Sequence, residues 1–217
     1  MSSATPVHAD CFNILLLGQA DVGKSSIIRR LDQNCFVEGQ GTNSLGRDFI
    51  AKNFITNSGE VSCRIWDTAD MERHSANIPS HLFRGKQGFV FVLSFTCKHS
   101  WRNLRDWIDI AKSFYPSGLP PSIILANKND SQPSEKTVNE VKDMYNGYKC
   151  FETSALSGHG LIEAFEFLAD EMLRYNSNRH DRDHYNRGRD DAIRGASFST
   201  VDSPFNFVRL MKTCSIL

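Results

Sequence analysis

The 217-residue sequence contains no apolar run approaching the roughly 18 residues a membrane-spanning helix needs. It has no net charge, with 25 basic and 25 acidic residues, so no global field argues for nucleic acid as a partner. Its six cysteines, at 11, 35, 63, 97, 150 and 214, lack the paired spacing of a disulfide framework or a zinc site. They read as reduced thiols of a cytosolic protein, five of them small packing residues. Residues 1–10 are largely polar, and the expectation is an N-terminal extension without a secretory signal. No internal repeat and no oligomerisation signal is visible, so a monomer is expected. What is present is core: 40% hydrophobic and 11% aromatic residues, enough for one domain.

Apolar runs alternate with amphipathic ones. Cys11 to Leu17, Gly88 to Phe95, Ser122 to Ala126 and Lys149 to Thr153 read as buried strands. Asp48 to Thr56 and Glu60 to Trp66, joined through Asn57-Ser58-Gly59, read as a hairpin. Helices are expected after Lys24, at Trp101 to Phe114, Ser134 to Tyr145 and His159 to Tyr175. Parallel strands with crossover helices follow, an α/β layered fold.

Gly18-Gln19-Ala20-Asp21-Val22-Gly23-Lys24-Ser25 fits G-x-x-x-x-G-K-[ST] and lies between the first strand and the first helix. A phosphate chain needs many N–H donors and a positive field. The backbone from Asp21 to Ser26 can curl around it, and the new helix adds its N-terminal dipole. Lys24 is placed to reach β- and γ-phosphates, and the Ser25 hydroxyl to ligate Mg²⁺.

Three further loops follow strand ends. Asp67-Thr68-Ala69 puts a carboxylate where it can hold Mg²⁺. Asn127-Lys128-Asn129-Asp130 offers guanine the acceptors that its N1–H and N2 amino group require. Asp130 is the base reader, Lys128 can lay its stem along the ring, and Asn127 faces the other edge. Thr153-Ser154-Ala155-Leu156 can supply a backbone N–H to the guanine O6. Ligands bind at the C-terminal ends of strands in open α/β sheets.

This set of motifs resembles the Ras superfamily of small GTPases over about residues 11–175. Trp66 to Ala69, and Arg84-Gly85 before a buried strand, look most like its Rab branch. The resemblance implies the small-GTPase fold, a six-stranded, mostly parallel sheet flanked by helices. It implies GTP or GDP with Mg²⁺, and two switch segments near 34–48 and 68–84. Its partners would be effector proteins reading the switches, an exchange factor and a prenyl-binding carrier. The function implied is a switch in vesicle-mediated membrane trafficking; a Ras- or Rho-type signalling role and a GTP-bound scaffold are the alternatives. A P-loop ATPase or nucleotide kinase is disfavoured by Asp130.

The sequence also departs from the family pattern. The family reads D-T-A-G-Q-E where this chain has Asp67-Thr68-Ala69-Asp70-Met71-Glu72. Asp70 sets a carboxylate at the γ-phosphate position. Met71 replaces the glutamine that orients the attacking water, and a thioether cannot do so. Slow GTP hydrolysis is expected, unless Glu72 or His74 takes over. Asp21 stands where the family usually has glycine, and its charge should weaken nucleotide retention. Aligning switch I on Gly46-Arg47-Asp48-Phe49 makes Ser44 the Mg²⁺ ligand, with Thr42 competing after a small loop shift.

The chain ends Cys214-Ser215-Ile216-Leu217, a C-a-a-X pattern of the geranylgeranyl type. Residues 176–217 read as a flexible tail placing Cys214 at a membrane's cytoplasmic face, with a cytosolic pool. Seven basic and five acidic residues between Arg179 and Lys212 make a weak electrostatic second anchor.

Overall fold

The computed structural model describes residues 11–37, 49–68 and 79–195, with side chains through Arg179. Six strands form one sheet: β1 (Cys11–Leu17), β2 (Phe49–Thr56), β3 (Gly59–Trp66), β4 (Gly88–Ser94), β5 (Ser122–Asn127) and β6 (Lys149–Glu152). Their order is β2-β3-β1-β4-β5-β6. Among the described strands only the β2–β3 pair is antiparallel, with Thr56 opposite Gly59 at its turn. β1 pairs in parallel with both β3 and β4. The helices are α1 (Lys24–Gln33), α2 (Lys98–Ser113), α3 (Glu135–Met144) and α4 (Leu161–Gly195).

Alternation along each strand divides the core in two. Phe12, Ile14 and Leu16 of β1 face one side, with Val90, Val92, Ile123 and Leu125, under α1 and α4. Leu15 and Leu17 face the other, with Phe89, Phe91, Leu93, Ile124 and Ala126, under α2 and α3. A strand buried on both faces has no polar side to present, which is why these segments read as continuous apolar runs. Each such side chain contributes about 1.5–3 kcal/mol by leaving water.

The expected hairpin and strands are present. α3 is capped at Ser134, whose side chain accepts from Thr137 N–H.

The last helix differs from expectation: it does not stop at Tyr175 but continues to Gly195. The compact domain closes at Asn178, and a second unit begins at Arg179. Residues 176–194 contain no proline and interleave Arg with Asp at helix-compatible spacings, so polarity there did not mean loss of helix. Of the expected tail, residues 176–195 are helical. Residues 1–10 and 196–217 lie outside the described residues.

Candidate functional site: a phosphate loop facing a base pocket

β1 is where the strand order reverses: the chain returns to β2 and β3 on one side and to β4 and β5 on the other. The loop after β1 therefore opens into a crevice at the C-terminal edge of the sheet. Gly18 has φ 154°, and a Cβ there would meet the Val92 carbonyl oxygen at 2.2 Å. Gly23 has φ 101°, and its Cβ would lie 2.4 Å from the Asn127 amide nitrogen. Both glycines are dictated by close approach, and both are motif positions.

Asp21 has φ 63° and is exposed. The left-handed conformation costs most L-residues about 1–2 kcal/mol, but Asp less. That is how this chain accommodates Asp where a glycine is the easier choice. Val22 is buried beside it.

The N-cap of α1 is Gly23, which has no side chain to cap the helix. The first-turn N–H groups, including those of Ser25 and Ser26, therefore suit an anion. Lys24 is 3% exposed, and its ammonium donates to the Gly18 and Gln19 carbonyls at 2.9 and 2.8 Å. The Ser25 hydroxyl donates to Asp67 Oδ2 at 2.7 Å. Thr68 fixes that carboxylate's strand end by donating to the Leu16 carbonyl at 2.7 Å. An all-oxygen pair beside an uncapped helix N-terminus fits Mg²⁺ and a phosphate chain.

The base side is equally connected, in a way the motif did not reveal. Asn127 is 1% exposed. Its Nδ2 donates to Val22 O at 2.8 Å, and its Oδ1 accepts from Ala155 N at 3.1 Å. Sequence reasoning turned this amide toward the base edge. The structure uses it as a cross-link between the phosphate loop and the Thr153–Leu156 loop. Lys128 sits at φ 63°, turning the chain so that the exposed Asp130 follows within a short 3₁₀ turn, Asn129–Ser131. The Ser154 hydroxyl donates to Asp130 Oδ1 and so orients the carboxylate. Ser154 N–H donates to His159 O. With Ala155 N–H on Asn127 as well, contact with a guanine O6 at these amides requires sharing or exchanging a bond.

Ser44 and its competitor Thr42 lie outside the described residues. So do Asp70, Met71, Glu72, His74 and Cys214.

Some neighbouring residues escaped sequence reasoning. Phe49 is 37% exposed and lies 4.8 Å from Trp66, ring to ring. Lys86 is only 8% exposed, with its ammonium 3.7 Å from the Trp66 ring centre. Burial pushes that ammonium down to about 8. Arg30 reaches the Thr153–Leu156 loop from α1. Only the consecutive Arg29-Arg30 in an otherwise apolar turn marked it in the sequence.

A strand–glycine loop–helix unit facing a second set of loops that fit guanine defines a nucleotide-binding protein of the small-GTPase class. The Ras family model matches residues 13–174. Human Ras-related protein Rab-30 is 32% identical over 169 residues, 75% of this chain and 80% of that protein. Rab-13 of Mesocricetus auratus is 30% identical over 176 residues, 80% and 85% of the two chains. GTP-binding protein ypt3 of Schizosaccharomyces pombe is 30% identical over 172 residues, 77% and 78%. The chain belongs to the Ras superfamily of small GTPases and is Rab-like. Among the described residues no helix is long and apolar enough to cross a membrane.

Proposed function

We propose that this chain is a prenylated, Rab-like guanine-nucleotide switch in vesicle-mediated membrane trafficking, with slow intrinsic GTP hydrolysis. The observation that carries the reading is the Asn127 cross-link, which joins a phosphate loop to a base loop across one crevice. Lys24 and the first-turn amides of α1 hold the β- and γ-phosphates. Asp130, oriented by Ser154, accepts from the guanine N1–H and N2 amino group, and Lys128 covers the ring. Ser25, Asp67 and a switch I hydroxyl, Ser44 or Thr42, hold Mg²⁺. When bound, Mg²⁺ would neutralise charge on the phosphates.

Slow turnover follows from two residues. Met71 offers the attacking water no acceptor of useful strength, and Asp70 repels the γ-phosphate. Asp21 adds a second carboxylate near the phosphates and favours faster release. Effectors would read the switch segments together with the exposed Phe49 and the half-buried Trp66 against it. A prenyl group on Cys214 would hold the chain on a membrane's cytoplasmic face, with a carrier masking it in the cytosol and an exchange factor reloading it. The same three departures, Asp21, Asp70 and Met71, favour as second reading a GTP-loaded scaffold that acts by recruitment.

The test is the nucleotide carried by the purified full chain, followed by single-turnover hydrolysis of loaded GTP. Guanine nucleotide with hydrolysis well below that of ordinary family members is expected. ATP competing as well as GTP overturns the reading. Ordinary hydrolysis overturns its kinetic part alone.

A further inference from the structure

We propose that Arg30 is a positioning residue for the guanine site: one guanidinium holds the Thr153–Leu156 loop against the C-terminal end of α1. The proposal rests on the guanine-binding reading above. Arg30 Nε donates to the Ala155 carbonyl at 2.9 Å, and one terminal nitrogen donates to the Leu156 carbonyl. The other terminal nitrogen donates to the Asn34 carbonyl at 2.8 Å. A planar fork with donors in fixed directions on three nitrogens can meet separated carbonyls on two segments at once, where a lysine offers a single nitrogen. The stem runs close by Gly158: a Cβ added there would meet Arg30 Cδ at 3.6 Å.

The loop needs such a clamp. Several of its hydrogen bonds are internal: Ser154 N–H to His159 O, Gly158 N–H to Ser154 O, and Ser157 N–H to Ser154 Oγ. These fix the loop's shape but not its position. Leu156 is 49% exposed and supplies little packing. Its first half is set by the strand end, by Asn129 N–H on Thr153 O and by the buried Ala155, with Asn127 on Ala155 N–H; Arg30 on the carbonyls of Ala155 and Leu156 extends that hold to the exposed half.

The consequence reaches the base reader in one step. Ser154 precedes Ala155 and donates to Asp130. A loop that drifts from α1 takes the Ser154 hydroxyl with it and leaves Asp130 unaligned. The Arg30 guanidinium bonds to Ala155, Leu156 and Asn34 and not to the Ser25–Asp67 pair, so the clamp acts on base recognition and not on the metal side.

The experiment loads the full chain with a fluorescent N-methylanthraniloyl GDP and follows its release, with Mg²⁺ and with chelator. Wild type, Arg30→Ala and Arg30→Lys are compared, together with competition by GDP and by inosine diphosphate, which lacks the 2-amino group. In Arg30→Ala, release should be about tenfold faster in both conditions, given the loss of charge-assisted bonds. The Mg²⁺ effect should be retained, and preference for GDP over inosine diphosphate should fall. Arg30→Lys should lie between the two.

Unchanged release and preference in either folded variant overturn the proposal. So does a lowered melting temperature with the GDP preference intact, which marks a structural role alone, and so does loss of the Mg²⁺ effect. If Arg30→Ala does not fold, Arg30→Lys decides by the same readings. A wild-type chain that retains no guanine nucleotide overturns the function reading and this one with it; retention with wild-type-like variants overturns this one only.

Discussion

The side-chain amide of Asn127, at the end of β5, donates to the Val22 carbonyl of the phosphate loop at 2.8 Å across 105 residues of sequence. Its oxygen accepts from Ala155 N–H at 3.1 Å. Replacing it with alanine leaves two buried backbone groups without their partner, at about 1–3 kcal/mol each. Asn127→Ala should therefore lower the melting temperature and speed nucleotide release by on the order of a hundredfold. Asn127→Asp should be no better, because a carboxylate oxygen would face the Val22 carbonyl. Release kinetics of a fluorescent GDP, beside a thermal melt, check both.

Asp130 reads the base through acceptors that Ser154 holds in place. Asp130→Asn presents a donor instead, which suits the 2-oxo group of xanthine. Preference should move from GDP toward xanthosine diphosphate in a competition assay. No such move would mean that the base pocket is misassigned. Ser154→Ala should weaken GDP retention less than Asp130→Asn, since it loosens the acceptor without removing it.

Restoring the family residues at switch II should restore turnover. The double substitution Asp70→Gly with Met71→Gln should raise single-turnover GTP hydrolysis by roughly a hundredfold, the scale of one positioned group. Unchanged hydrolysis would move the responsibility for slow turnover elsewhere, Asp21 being the next residue to exchange.

Lys86 gives a pH dependence with a definite sign. Its ammonium is pushed by burial from its ordinary 10.5 down to about 8 in the folded chain. The Trp66 ring face, 3.7 Å away, offsets part of the cost of keeping it charged. Between about 8 and 10.5 the unfolded chain holds more protons at this site, so stability contributed by this residue rises with pH. Below about 8 the burial cost is fully present; above 10.5 it is gone. Lys86→Met should remove this rise. Thermal melts of both proteins across the window should show wild type gaining on the variant as pH increases.

Cys214→Ser should shift the protein from membranes to the soluble fraction in cells that prenylate C-a-a-X termini. A single lipid gives only reversible binding, so wild type should itself divide between the two fractions. Equal partition of wild type and variant would overturn the lipid anchor.

The sequence by itself determined the strands, the glycine loop and the base-reading tetrapeptide. Those are local signals: apolar runs from Cys11 to Leu17 and from Gly88 to Ser94, and motif residues fixed by spacing. The expected helix end at Tyr175 was wrong because polarity was taken for loss of helix, whereas a proline-free sequence with Arg and Asp at helical spacing is compatible with one, and the helix runs to Gly195. Only the tertiary structure decided how the loops are tied together. Asn127 spans to Val22, Arg30 to Ala155 across 125 residues, and Lys86 settles on Trp66. These partners share no period and no spacing in the chain. The first two pairs meet because β1, β4 and β5 lie side by side in parallel, which brings the loops at their C-terminal ends to one edge, where polar groups leaving water must find each other. Lys86 meets Trp66 because β4 begins beside the part of β1 against which β3 ends.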